Sequence, residues 1–404
     1  MMGKGLFFRA LCMLVLALLG CTAKRSSQPC RVESEIVLAE TSQSPQAVAL
    51  TQTPTGFFAV WSSDKRTFAM RLDVHGMPVN GAFELPAVRP LLDASGTGSK
   101  TLWSQLPGSG LASTALALAP LSDGAALAAL VPGNPGFAFL CAITEAGPGP
   151  WLRLGESGPN ATSIDVVTHG DRLWVAWHEG RDAASEIALV SVAMEDDQGK
   201  LLCSRRLERP SAVLSPALVS GPSGVLLAFA EVSRASPPKV LIHVERLDEN
   251  LEGEKSYTVG QGSYLHPTVD LVASGNGFGL VFRDDMDDDQ VPEYYHVALS
   301  AQGEPLSAPT RISQSDGFTG PRLAAQNELI VGAAIRSFQR NLLIGLNRFD
   351  HRGRKVGGEL QIYADKTDFV RVDVAANEDT TLLVYGEDGD GRGRVLSSRL
   401  GCRP

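Results

Sequence analysis

The chain has 404 residues, of which 44% are hydrophobic, 20% charged and 6% aromatic, with 41 glycines and 24 prolines. That composition is globular and excludes a disordered, collagen-like or polytopic membrane protein. Forty-five acidic against 36 basic residues give a formal charge of −9, the wrong sign for a general nucleic-acid footprint.

Lys4 and Arg9 are followed by an unbroken apolar run, Leu11 to Leu19, that ends at Gly20-Cys21. A run this short suits an export signal better than a membrane span, which takes about 20 residues. The tail Leu18-Leu19-Gly20-Cys21 resembles the lipobox of bacterial lipoproteins. That resemblance implies cleavage after residue 20, a lipid on Cys21 and a membrane anchor. Thr22 is not the aspartate associated with inner-membrane retention, so the resemblance implies the outer membrane. An ordinary secretory signal that contains Cys21 is the alternative. Residues 21–29 read as a lipid-anchored linker. Four cysteines remain beyond it, Cys30, Cys141, Cys203 and Cys402, and an even number in an exported chain reads as possible disulfides.

Residues 30–404 repeat. A short strand opener (Pro45-Gln46-Ala47-Val48, Pro216-Ala217-Leu218, Pro321-Arg322-Leu323, Arg371-Val372-Asp373-Val374) is followed by a turn and an apolar strand with a bulky end. A polar turn comes next, usually closed by glycine, as at Gly76, Gly303 and Gly353. The bulky ends fall at 61, 130, 177, 229, 282, 333 and 385; one interval is long and the other five agree closely. Runs such as Phe57 to Trp61 and Val225 to Phe229 are short, apolar and bounded by turn residues, as buried strands are. Four strands per unit, seven times over, resemble an all-β, seven-bladed β-propeller of four-stranded blades. No repeated family signature accompanies the likeness, which is architectural, and an open solenoid of strands is the rival arrangement.

The last unit has room for only three strands after Arg371, while Ile36-Val37-Leu38-Ala39 reads as a lone strand ahead of the first unit. The N-terminal strand is therefore expected to complete the last blade and close the ring, which leaves no free edge at the seam. Antiparallel pairing would place Cys402 beside Cys30, within reach of a disulfide. Cys141 and Cys203 read either as a second bond across neighbouring blades or as two buried thiols.

In such a ring the turns between strands one and two, and three and four, share one side. The remaining loops share the other. The closing strand starts on the first side, and the eight residues Thr22 to Pro29 span at most about 30 Å. The first side is thus expected to face the membrane and the second to point away. The outward loops carry Glu179 and Asp182, then Asp284, Asp285, Asp287, Asp288 and Asp289, then Asp388 and Asp390. A long connection, Val88 to Gly110, adds Trp103. These residues form the expected binding face.

The aspartates read either as hard oxygen ligands for Ca²⁺ or as solvated hairpin tips. Asp388-x-Asp390 begins like a Ca²⁺ loop, but Arg392 takes the next alternate position. Trp61, Trp174 and Trp177 read as packing between sheets. No His-Glu-x-x-His, zinc spacing or Gly-x-Ser-x-Gly elbow is present. His266, before Pro267, reads either as a structural or exposed histidine or as one that lines the ring's mouth. The expectation is a monomeric, lipid-anchored scaffold without a cofactor that binds a protein or polysaccharide of the cell envelope. The alternative is a glycan hydrolase or lyase with acidic residues at the ring mouth, two carboxylates about 5–10 Å apart.

Overall fold

Apolar runs punctuated by glycine and aspartate turns form strands throughout, and no helix occurs among the described residues. The computed structural model describes residues 30–401 apart from 92–101, 107–114, 132–135, 159–160, 180–185, 196–197, 234, 265, 314–318, 339–340, 365–366 and 390–391. Seven antiparallel sheets of four strands follow one another as the blades of a β-propeller. The inner strands of blades 1 to 7 are Ala47–Thr53, Ala115–Pro120, Ile164–His169, Ala212–Gly221, Thr268–Ser274, Arg322–Gln326 and Asp368–Ala376. Each leads outward through its blade in sequence order. In blade 2 the outer edge is made in two pieces, Gly147–Pro148 and Leu152–Ser157, both paired with Gly136–Thr144.

The N-terminal strand Arg31–Thr41 is the outer strand of blade 7, running from Arg31 opposite Gly401 to Thr41 opposite Gly393. This is the closure expected from the sequence. Because the partner strand Arg392–Gly401 starts on the side of the second-to-third turns, Cys30 lies on the opposite side.

One register runs round the ring. In every blade an inner-strand residue pairs with the residue eleven positions later: Ala49 with Val60, Ala117 with Ala128, Asp165 with Ala176, Ala217 with Ala228, Asp270 with Val281, Arg322 with Ala333 and Asp373 with Val384. The bulky residues read from the sequence sit one position beyond this layer in five blades. Leu130 lies a further position out and Ala333 falls within the layer, so the reading by side-chain size slipped by one residue in blades 2 and 6.

Two turn devices repeat. Gly56, Gly124 and Gly277 open the second strands where a Cβ would lie 2.2, 2.0 and 2.3 Å from the third-strand carbonyls of Leu72, Ile143 and Leu299. Between third and outer strands, Asp73 Oδ1 accepts the N–H groups of His75 and Met77 at 2.8 and 2.9 Å. Asp248, Ser300 and Asp350 do the same in blades 4, 5 and 6. Such side-chain caps mimic a backbone turn. The residue three positions on takes a left-handed backbone, at φ 81° in Gly76 and Gly303 and 75° in Gly353. In blade 4 that position is Leu251, at φ 67°.

Apolar clusters fill all seven joints between blades. Trp61, Trp174 and Trp177 are buried in them, as expected. The joint between blades 5 and 6 is the leanest: its buried apolar residues fall into two groups of three, Val272, Ile330 and Phe349, and Val281, Tyr294 and Ala334. There His296 stacks on Phe349 with ring centroids 5.8 Å apart.

Cys141 and Cys203 are free thiols, so no bond joins them. The reason is facing. Leu140 packs toward blade 3 and its neighbour Cys141 therefore toward blade 1, whereas Cys203 packs toward blade 4. The Cys141 thiol donates to the Gly149 carbonyl at 3.2 Å and that of Cys203 to the Asn250 carbonyl at 3.5 Å. Cys30 is buried and disulfide-bonded. Cys21 and Cys402 lie outside the described residues.

Candidate binding site at the channel mouth

The inner strands surround a channel, and the layer defined by their register decides its chemistry. Of the seven equivalent inner-strand positions, three are aspartates, one is an arginine and three are alanines. An inner strand has one unpaired edge, and the carboxylates serve it. Asp165 accepts its own neighbour Val166 N–H at 2.9 Å and, across the joint, Leu218 N–H at 2.6 Å. Asp270 does so with Leu271 at 3.0 Å and Leu323 at 2.7 Å. Asp373 accepts Val374 at 2.9 Å and Leu50 at 2.7 Å. Blades 3 and 4, 5 and 6, and 7 and 1 are thereby latched at their inner edges.

Burial pushes all three carboxyls up, Asp165 to about 6 and Asp270 to about 8, with the Arg322 charge pulling the other way. Burial works against the Arg322 charge as well, but Asp373, Asp270 and Asp165 hold its guanidinium protonated.

Arg322 divides the channel into two chambers and lines both. The lower, about 470 Å³, contains the three aspartates. The upper, about 360 Å³, opens on the outward side and draws its walls from all seven blades. Arg283, Arg322 and Arg371 converge there, with His266 at the rim, and none of its lining residues is a carboxylate. Arg371 donates to the carbonyls of Gln46 and Val370, both at 2.7 Å. Arg283 donates to the Tyr264 hydroxyl and lies 4.5 Å over that ring, whose edge meets His266 with centroids 6.0 Å apart. Arg322, enclosed by the ring yet exposed to its lumen, forms no hydrogen bond or ion pair with any described residue. Burial lowers the pKa of Arg371, and the charge of Arg322 lowers it further.

The expected binding residues sit elsewhere, and several serve the loops themselves. Asp284 is fully buried and accepts the N–H groups of Tyr264 and Asp285 at 3.0 and 2.8 Å, which fixes the segment bearing Tyr264. Burial pushes its carboxyl up to about 6. Asp285, also buried, accepts Asp289 N–H at 3.2 Å and Gln290 N–H at 2.9 Å. Asp288 accepts the Ser263 hydroxyl, Asp289 the Val291 N–H, and Asp287 faces Arg311 at 3.5 Å.

The carboxylates of Asp285, Asp287 and Asp289 come within 4.8 Å of one another. They offer a cation three hard oxygens, but Asp285 already spends both of its own on the loop and Asp287 has a guanidinium partner. Glu179 is buried against Arg206 at 3.1 Å, which removes it from the outward face. Asp388 is half-buried opposite Gly393 in blade 7. Asp182 and Asp390 lie outside the described residues. Trp103 belongs to a hairpin, Ala87–Leu91 with Leu102–Leu106, and its side chain lies outside them too.

The acidic mouth expected for a glycan hydrolase or lyase is absent from the described lining: guanidinium groups occupy the mouth, and the aspartates lie one layer deeper, capping backbone amides. His266 does line the mouth. Sequence reasoning passed over Arg322, which opens its inner strand, and Arg371, which lies in the first half of Asp368–Ala376. The available signal was a charged residue near the start of a strand whose alternate side chains face a channel.

No family model matches the sequence, and no curated protein resembles it. Solved structures do resemble it in fold. A polysaccharide lyase, an ulvan lyase bound to a GlcA(1-4)Rha3S repeat, superposes with a TM-score of 0.53 at 10% identity, over 90% of this chain and 95% of that one. The Trypanosoma rangeli sialidase in complex with sialic acid gives 0.47 at 10% identity, over 78% and 57%. The haemagglutinin-neuraminidase of parainfluenza virus 5 gives 0.44 at 10% identity, over 71% and 90%. The neighbours are glycan-active propellers, and at these identities the likeness is one of fold.

Proposed function

We propose that this chain is a carbohydrate-binding propeller of the cell envelope whose channel mouth takes the anionic group, carboxylate or sulfate, of an acidic saccharide. One observation carries the reading: the Arg322 guanidinium, free of any hydrogen bond or ion pair among the described residues, lies in a water-accessible chamber with Arg283 and Arg371 and no lining carboxylate. Like charges gathered in a partly enclosed space repel, and an anion relieves them. Guanidinium forks match carboxylate and sulfate oxygens geometrically. A recess of about 360 Å³ suits a sugar unit more than a flat protein surface. The lipid on Cys21 would hold the protein to the outer membrane by the face that carries Cys30, leaving the mouth free on the other side.

Calorimetric titration with an oligogalacturonate, a sulfated oligosaccharide and a neutral oligosaccharide tests the site and separates the two anions. Binding of either acidic ligand, weakened about tenfold or more by Arg322→Ala, is expected. Failure of both acidic ligands, or indifference to Arg322→Ala, overturns it. Fractionation of cells that express Cys21→Ser tests the anchor: the variant should leave the membrane fraction.

The Tyr264–Arg283 contact favours a second reading. A phenol hydrogen-bonded to a guanidinium, beside a histidine, is an acid–base pair placed next to the anion site. Its expectation is slow elimination on a uronate polymer, seen as ultraviolet absorbance of the new C=C bond and lost in Tyr264→Phe.

A further inference from the structure

We infer that the three carboxylates beneath the mouth govern the anion site: they compete with the ligand for the charge of Arg322, so an anion binds together with a proton. The inference rests on the proposed anion site and adds its regulation. Arg322 occupies the same layer as Asp165, Asp270 and Asp373 and lines the chamber above as well as the chamber below. It touches none of the three, so its charge is shared through the field. The groups that face it are few. Inner strands of blades 3, 5 and 7 present the three aspartates; at the same register blades 1, 2 and 4 carry the uncharged Ala49, Ala117 and Ala217. Arg371 of blade 7 and Arg283 and His266 of blade 5 stand above.

Ionised aspartates below draw the Arg322 charge down and repel an incoming anion. Protonated, they leave that charge to the ligand. Burial already holds Asp270 up to about 8 and Asp165 up to about 6, so both change state across the ordinary pH range. The effect is reciprocal: an anion on Arg322 raises both carboxyls further, and protons are taken up on binding. The placing of the aspartates in blades 3, 5 and 7, on either side of Arg322 in blade 6, fits this role. Carboxylates only at alternate joints latch the ring, yet leave one guanidinium outnumbered.

The test is calorimetry of the full chain with a sulfated oligosaccharide, whose own charge does not titrate, in buffers of differing ionisation enthalpy from pH 5.5 to 9. The expected result is net proton uptake near pH 8 and an affinity that rises at least about fivefold as pH falls through that range. Asp270→Asn should bind more tightly than the unmodified protein at pH 9 and lose the uptake near pH 8. His266→Gln, whatever its affinity, should keep that uptake, since His266 is not its source. Binding without proton uptake by the unmodified protein overturns the inference and leaves the site standing. Uptake that Asp270→Asn keeps, or that His266→Gln removes, also overturns it. Failure to bind at any pH overturns both.

Discussion

Asp373 Oδ2 accepts the backbone N–H of Leu50 at 2.7 Å, joining the inner strand of the last blade to that of the first. The ring is thus closed twice, by this latch at the channel and by the strand Arg31–Thr41 at the rim. Removing the carboxylate leaves two amides, those of Leu50 and Val374, without their acceptor. Asp373→Ala should therefore lower unfolding free energy by about 1–3 kcal/mol, read from urea denaturation. Residues 42–46 carry the closing strand of blade 7 directly into the inner strand of blade 1, so loosening this joint strains the pairing of residues 31–41, whereas the joint latched by Asp165 holds no closing strand. Hydrogen exchange in residues 31–41 should accelerate in Asp373→Ala and not in Asp165→Ala.

The same carboxylates tilt the pH dependence of stability. Each has a raised folded-state value, so between about pH 4 and 8 the folded chain binds more protons than the unfolded one, and stability falls as pH rises. His178 and His296 act oppositely: burial pulls both down to about 4, so their contribution is lost on acidification below about 6.5. Above that point Asp270, raised to about 8, still releases its proton, whereas Asp165, at about 6, has largely done so. The urea midpoint should be lower at pH 8.5 than at pH 6.5, and Asp270→Asn should flatten the difference.

The architecture was legible because its signals are local. Gly56 and Gly277 recur where a third-strand carbonyl leaves no room for a Cβ, and Asp73 and Asp350 recur where a turn needs a cap. Such constraints write a period into the sequence. The site was not legible, because it arises from seven distant strands meeting at one axis. Asp165, Asp270 and Asp373 look like ordinary strand residues until the register places them in one layer with Arg322. The acidic run from Asp284 to Asp289 drew attention by density, yet Asp284 holds the backbone amides of Tyr264 and Asp285, and Asp285 those of Asp289 and Gln290.

Cysteine chemistry separates the joints. Cys141 is 1% exposed and burial pushes its thiol up to about 12, whereas Cys203 is partly exposed on an outer strand. Iodoacetamide should label Cys203 in the native protein and reach Cys141 only after denaturation. We propose Cys402 as the partner of Cys30, since Arg31 pairs with Gly401 one residue from each. A non-reducing peptide map should show that bond, and its reduction should lower the thermal midpoint. Free Cys402 in the native protein would disprove the pairing.

Leu251 sets two effects of known size against each other. Its φ of 67° is the conformation that blades 1, 5 and 6 give to glycine, and a non-glycine residue there costs about 1–2 kcal/mol. Its side chain, however, is 1% exposed and packs with Leu247, Leu207 and Val213 at the joint between blades 3 and 4. Deleting a buried leucine side chain typically costs about 2–5 kcal/mol. Burial outweighs strain, so Leu251→Gly should destabilise the protein by about 1–3 kcal/mol in urea unfolding even though it restores the turn's usual residue. Asp248→Ala, which removes only the cap on the N–H groups of Asn250 and Glu252, should cost less, about 1 kcal/mol. A Leu251→Gly variant as stable as the parent would mean that the turn, and not the packing beneath it, limits this blade.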